Sequence, residues 1–95
     1  MVITMVEAEV APSKVEALQA MWGEVTSGPL PPGLKESFLL SAAEVWRIAS
    51  VWESREALEA MRNSGETPGA LRVFAAARAE PKLTIFEVEG HLEVP

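Results

Sequence analysis

The chain has 95 residues and a mass of 10.3 kDa, which suits one domain and excludes a second core. Apolar types make up 48% of the residues and exclude intrinsic disorder, while 14 acidic and 8 basic residues give a net charge of −6 that opposes binding to nucleic acid. The lack of cysteine, with His91 as the sole histidine, excludes disulfides, thiolate catalysis and a zinc site built from these two residue types.

Membrane and targeting segments are not indicated by the sequence. No apolar run approaches the roughly 20 residues of a membrane-spanning helix, and no basic segment leads into an apolar signal region. We therefore expect one cytoplasmic domain over residues 1–95, with no nucleic-acid partner, no membrane partner and no metal.

The first third of the chain predicts a strand followed by a helix. Residues 1–10 are rich in valine, isoleucine, threonine and methionine, which is typical of a strand. Ser13 and Glu16 have the spacing of a capping box, so we expect a helix to begin there. The proline-rich stretch 27–33 cannot continue that helix and is predicted to be a stiff loop.

The middle of the chain predicts an antiparallel hairpin. Residues 34–41 and 44–52 have the composition of strands, and only Ala42 and Ala43 separate them. Because alternate residues of a strand face opposite sides, the second of these strands presents two rows. One row is Trp46, Ile48, Ser50 and Trp52, and the other is Val45, Arg47, Ala49 and Val51.

The last third predicts a helix in two pieces and a final strand. Ser54 is a candidate N-cap for the first piece, and Thr67 followed by Pro68 starts the second. Residues 82–90 form the last strand, and 91–95 are a tail. Two β-α-β halves with helices on one face of a four-stranded antiparallel sheet make an α+β, ferredoxin-like arrangement.

Both faces of this sheet are largely apolar, whereas the helices can cover only one. Four strands of about six residues leave roughly 400 Å² on the other face, at the upper end of what monomers expose. Covering it contributes on the order of 10 kcal/mol before the costs of association. We therefore expect a homodimer that pairs through this sheet face.

Residues 44–58, EVWRIASVWESREAL, resemble the strand-to-helix segment of antibiotic biosynthesis monooxygenase-like domains, which often carry Trp-Glu-Ser before the helix. The element order predicted above is similar to theirs over nearly the whole chain. The resemblance implies a dimeric α/β barrel, in which the row containing Trp52 faces the helices of its own subunit. It also implies that Arg47 points toward the partner, where Glu36 or an acid of the second copy would pair with it.

Some members of that family oxygenate aromatic intermediates without metal, flavin or haem. The resemblance implies a substrate that ionises to a carbanion and itself reduces O₂ in a dry pocket. One branch of the family has an asparagine four residues before the tryptophan and a tyrosine six residues after it. Trp52 matches that tryptophan, whereas Ile48 and Leu58 occupy the other two positions. The haem-degrading branch needs a histidine about where Leu71 stands, so we expect no cofactor.

Trp52 is the candidate catalytic residue. Its indole N–H needs a partner when buried, and a polar ligand atom or a backbone carbonyl would serve equally. The residues expected to contact a small aromatic or quinone-type substrate are Trp22, Trp46, Ile48, Ser50, Leu58 and Met61.

Three classes of function remain open from the sequence. The first is a cofactor-independent monooxygenase, and the second is a non-catalytic module that binds or senses a small ligand on the same dimeric scaffold. Apolar Ile48 and Leu58 favour the second. A protein that only mediates interactions through its sheet is the third, and it predicts a filled core instead of a pocket.

Overall fold

The computed structural model describes residues 1–95 and contains four strands and three α-helices. A short 3₁₀ turn, Pro12–Lys14, precedes the first helix. In chain order the elements are β1 (Val2–Glu9), α1 (Val15–Ser27), β2 (Leu34–Ala42), β3 (Val45–Trp52), α2 (Arg55–Arg62), α3 (Gly69–Ala76) and β4 (Lys82–Glu87).

The strands form one sheet in the order β2-β3-β1-β4, and every neighbouring pair is antiparallel. The helices lie on one face, where α1 packs against α3 and α2 lies against β3. This arrangement confirms the predicted α+β, ferredoxin-like fold.

The inner face of the sheet carries the core. Along β1, every second residue is buried from Val2 onward, as the period of a strand requires. The larger buried cluster joins β1 and β3 to α1 and α3 and consists of Val6, Ala8, Val10, Leu18, Ile48, Val73, Phe74 and Ala77. A smaller cluster between α2 and the sheet consists of Val2, Trp52 and Leu58.

The helix starts differ in part from the prediction. Ser54 caps α2 as expected, because its Oγ accepts a hydrogen bond from the Ala57 N–H at 3.1 Å. The capping box at Ser13 is wrong: Ser13 lies inside the 3₁₀ turn, Lys14 occupies the N-cap position of α1, and no side chain caps that helix. Thr67 does not cap α3 either, since Pro68 takes that position.

The hairpin turn lies one residue later than predicted. Ala42 is still paired with Val45, so the two turn residues are Ala43 and Glu44. Ala43 adopts a φ of 53°, the left-handed conformation that short hairpin turns use. The last strand ends at Glu87 instead of residue 90, although the Val88 N–H still donates to the Met1 carbonyl at 3.2 Å.

The outer face of the sheet is mostly apolar and carries one ion pair at its centre. Phe38, Leu40 and Phe86 are each about half exposed there. Of the two partners expected for Arg47, Glu36 is wrong: Arg47 Nη2 lies 3.2 Å from Glu7 Oε2 of the same chain. The register explains the choice, because Glu7 is directly opposite Arg47 whereas Glu36 is opposite Val51.

A second ion pair ties α2 to the sheet. The Arg55 guanidinium, in the first turn of α2, donates to the carboxylate of Glu87 at the end of β4. This hydrogen bond and the charge of Glu87 raise the pKa of Arg55 above its ordinary value. None of the helices has the length and apolar character that crossing a membrane demands.

Candidate functional site

A cavity of about 960 Å³ lies between the inner face of the sheet and the helices. Its floor is formed by β1, β2 and β3, and its walls by the three helices and the loop 28–33. Ligand sites in proteins occupy about 300–1,000 Å³, so the space is large enough for a small multi-ring molecule.

Six of the seven site residues predicted from the sequence line this cavity. They are Trp22, Ile48, Ser50, Trp52, Leu58 and Met61. Trp46 lies on the same row of β3 but outside the cavity, where it packs against the larger buried cluster. It stands opposite Ala8, at the other end of the strand from Trp52.

The cavity floor carries a line of three hydroxyl groups that runs across the sheet. Ser50 is directly opposite Thr4 on one side and Ser37 on the other. The Ser37 and Ser50 hydroxyl oxygens are 2.9 Å apart and share a hydrogen bond. Thr4 and Ser50 are both buried. We call Ser37, Ser50 and Thr4 the hydroxyl row.

Trp52 is anchored to this row. Its indole Nε1–H donates to Thr4 Oγ1 at 3.1 Å, so the partner is neither of the two that the sequence left open. Thr4 was missed because a threonine suits either face of a strand. The available signal was its position between Val2 and Val6, because alternate residues of a strand share one face.

The buried part of the cavity contains no ionisable side chain. Ile48 and Leu58, each 1% exposed, line this part of the cavity with hydrocarbon side chains. The charged residues around the cavity are all exposed, and they are Lys35, Glu36, Glu53, Arg62, Glu66 and Arg72. The interior can therefore hold an apolar molecule and donate hydrogen bonds to its oxygen atoms, but it offers no buried general acid or base.

The residues present do not fit haem ligation. Haem iron is usually held by histidine, cysteine, tyrosine or methionine, and Met61 is the only one of these types that lines the cavity. His91 lies in the exposed tail beyond β4. No group of three or more histidine, cysteine, aspartate or glutamate side chains is placed to hold a metal ion.

The sequence matches no family model and no curated protein. The structure, in contrast, is similar to solved structures over almost its full length. A candidate antibiotic biosynthesis monooxygenase from Deinococcus radiodurans has a TM-score of 0.73 at 14% identity, with 100% of this chain and 99% of that chain covered.

Two further structures carry functional descriptions. SnoaB, a cofactor-independent oxygenase from Streptomyces nogalater, has a TM-score of 0.70 at 18% identity, covering 96% of this chain and 95% of that chain. MhuD, a haem degrader from Mycobacterium tuberculosis solved with two haems in its active site, has a TM-score of 0.69 at 22% identity, covering 98% and 100%. The resemblance expected from the sequence is thus confirmed at the level of the fold.

Proposed function

We propose, from the fold shared with antibiotic biosynthesis monooxygenase-like proteins, that this chain binds a small aromatic or quinone-type molecule in its cavity and oxygenates it without a cofactor. The observation that carries the proposal is the cavity itself, with apolar walls above a hydroxyl row. A flat, oxygen-bearing ring system matches both parts: its faces contact Trp22, Leu58 and Met61, and its oxygen atoms accept hydrogen bonds from the floor.

The reaction needs no cofactor, because the substrate supplies the electrons. Since the cavity has no buried base, the proton that the substrate loses on ionising passes to solvent. In anthrone, the ring methylene carbon loses two hydrogens and gains one oxygen atom of O₂. The second oxygen atom leaves as water with those two hydrogens. The substrate thus provides all four electrons and no outside reductant is needed. The protein's part is to exclude water, orient the ring and stabilise the oxygen on which negative charge develops.

The test is turnover of anthrone in air-saturated buffer near pH 7, with O₂ uptake and anthraquinone formation both measured. We expect one anthraquinone per O₂ at a rate above the buffer blank. Trp52→Phe should lower the rate at least tenfold, whereas Trp46→Phe, the same change outside the cavity, should keep it. No turnover above the blank would contradict the oxygenase proposal, and equal rates for the two variants would contradict the role of Trp52.

A second candidate function is binding without catalysis. The observation in its favour is that Ile48 and Leu58, which replace the asparagine and tyrosine of the resembling branch, are buried hydrocarbon at the cavity. Binding of anthraquinone with no O₂ uptake from anthrone would select this function. The cavity volume argues against a protein that only mediates interactions, since that class predicts a filled core.

We also propose that the protein is a homodimer paired through the outer face of its sheet. Phe38, Leu40 and Phe86 expose close to half of their surface on that face, and a two-fold axis would make the patch its own complement. Sedimentation at micromolar concentration should give a species of twice 10.3 kDa.

A charge on the outer face should separate the protomers. Phe38→Glu is expected to yield the single-chain mass, because it buries an unpaired carboxylate in the interface. Leu92→Glu is the matched control, since Leu92 is 85% exposed in the tail and should not affect pairing. A wild-type protein that sediments as one 10.3 kDa chain would overturn the dimer.

A further inference from the structure

We infer that Thr4 is the hydrogen-bond donor that selects an oxygen-bearing ligand, and that Trp52 acts through Thr4 as a positioning residue. The inference rests on the proposed function, because it concerns the same cavity. It changes the role of Trp52: the indole N–H is already bonded to Thr4 Oγ1 at 3.1 Å and is not free to meet the ligand.

The hydroxyl of Thr4 has one hydrogen left to donate. Its oxygen accepts the indole hydrogen, and Thr4 makes no other side-chain hydrogen bond in the structure. The residue is 7% exposed and lines the cavity. Leaving a buried donor without an acceptor costs free energy. An oxygen atom of the ligand that accepts this hydrogen bond is therefore the group that the position favours.

Trp52 makes Thr4 a better donor in two ways. The bond from the indole fixes the position of the threonine oxygen, and with it the direction of the remaining hydrogen. A hydroxyl that accepts one hydrogen bond is also polarised to donate a stronger one. Trp52 is buried, with 4% of its surface exposed, so this arrangement is held firmly.

The hydroxyl row supplies a second donor beside Thr4. Ser37 and Ser50 share one hydrogen bond in which either oxygen can be the donor, so one hydroxyl hydrogen of the pair stays unused. Thr4 and Ser50 face each other across paired strands, a relation that places their Cβ atoms about 5 Å apart. The chemical class is therefore an aromatic ring that carries acceptor oxygen, as in a quinone.

The experiment uses equilibrium dialysis to compare two probes that share one two-ring carbon skeleton. They are 1,4-naphthoquinone, which has two acceptor oxygens, and naphthalene, which has none. We expect the wild-type protein to bind the quinone about tenfold more tightly than the hydrocarbon. Thr4→Val should remove most of this preference and leave naphthalene affinity within twofold, while Thr4→Ser, which keeps the hydroxyl, should retain it.

Trp52→Phe tests the positioning role through the ratio of the affinities for the two probes. A tryptophan that only fills space would change the affinities for both probes equally, whereas a tryptophan that orients Thr4 changes the ratio between them. We expect the quinone preference to fall about threefold in Trp52→Phe, and the double variant with Thr4→Val to show no less preference than Thr4→Val alone. Each variant is compared with the wild type by far-UV circular dichroism to confirm that it is folded.

The outcomes distinguish this inference from the function on which it rests. Binding of neither probe would overturn the proposed function itself. Equal binding of both probes, or equal losses for both in Thr4→Val, would overturn the role of Thr4 and leave an aromatic-binding cavity in place. A quinone preference that survives Trp52→Phe unchanged would show that Thr4 acts without Trp52.

Discussion

Gly33, at the end of the proline-rich loop, is the position where one added methyl group should damage the fold most. Its φ is +84°, a conformation that costs an L-residue with a side chain about 1–2 kcal/mol. A Cβ built there would meet the Cβ of Ala57 on α2, closer than any real contact between such atoms. Overpacking of this kind costs about 1–3 kcal/mol. Gly33→Ala should therefore destabilise the protein by about 2–5 kcal/mol.

Gly65 provides a matched control for the conformational part of this cost. Its φ is +85°, yet no atom lies within 4 Å of the position that a Cβ would take. Gly65→Ala should therefore cost only the conformational strain, about 1–2 kcal/mol. The difference between the two variants isolates the contact of the loop with α2.

Removing the other methyl group completes the test. In Ala57→Gly, the atoms nearest to a new Cβ at position 33 would be Glu53 Cγ at 3.6 Å and the Ala57 Cα at 3.8 Å, which are ordinary contacts. The substitution alone weakens α2 by about 1 kcal/mol. In its background, Gly33→Ala should cost no more than Gly65→Ala does in the wild type.

The assay is thermal unfolding at one fixed protomer concentration, because association would make the midpoint depend on concentration. For a domain of this size, 1 kcal/mol shifts the midpoint by about 4–8 °C. We expect Gly33→Ala to unfold at least about 4 °C below Gly65→Ala, with the gap closing in the Ala57→Gly background. Equal midpoints for the two alanine variants would refute the close approach between loop and helix.

Two further predictions concern hydrogen bonds in the described structure. Ser54→Ala should destabilise the protein by about 1 kcal/mol because it removes the cap of α2. Ser13→Ala should have no comparable effect, since no side chain caps α1. Urea unfolding of both variants checks this, and equal losses of stability would contradict it. Thr4→Val should cost about 1–3 kcal/mol by leaving the buried indole N–H of Trp52 without an acceptor. Thr4→Ser should cost less, and a Thr4→Val loss that persists unchanged in a Trp52→Phe background would show that the hydrogen bond is not its cause.

Much of the fold follows from patterns that are local in the sequence. The alternation of Trp46, Ile48, Ser50 and Trp52 defines the inner row of β3 before any partner strand is known, because a strand has a period of two. The cap at Ser54 depends on a backbone N–H only three residues away. Features of this kind need no knowledge of which strands pair.

The parts that could not be predicted depend on register or on distant partners. Glu7 is 40 positions from Arg47 in the chain and becomes its partner only through the pairing of β1 with β3. Thr4 and Trp52 are 48 positions apart, and their hydrogen bond follows from the same pairing. The position of Trp46 outside the cavity likewise depends on where the helices cross the sheet, which the period of β3 does not determine.

The division of the buried side chains into two clusters bears on how a ligand would enter the cavity. Phe74 and Leu18 belong to the larger cluster, whereas α2 contributes only Leu58 to the smaller one. Segments with few buried apolar contacts open at lower free energy than the rest of a domain. The amide hydrogens of α2 should therefore exchange with solvent sooner than those of α3. If the proposed ligand binds, we expect it to enter beneath α2 during this local opening, while the end of the molecule at α3 stays closed.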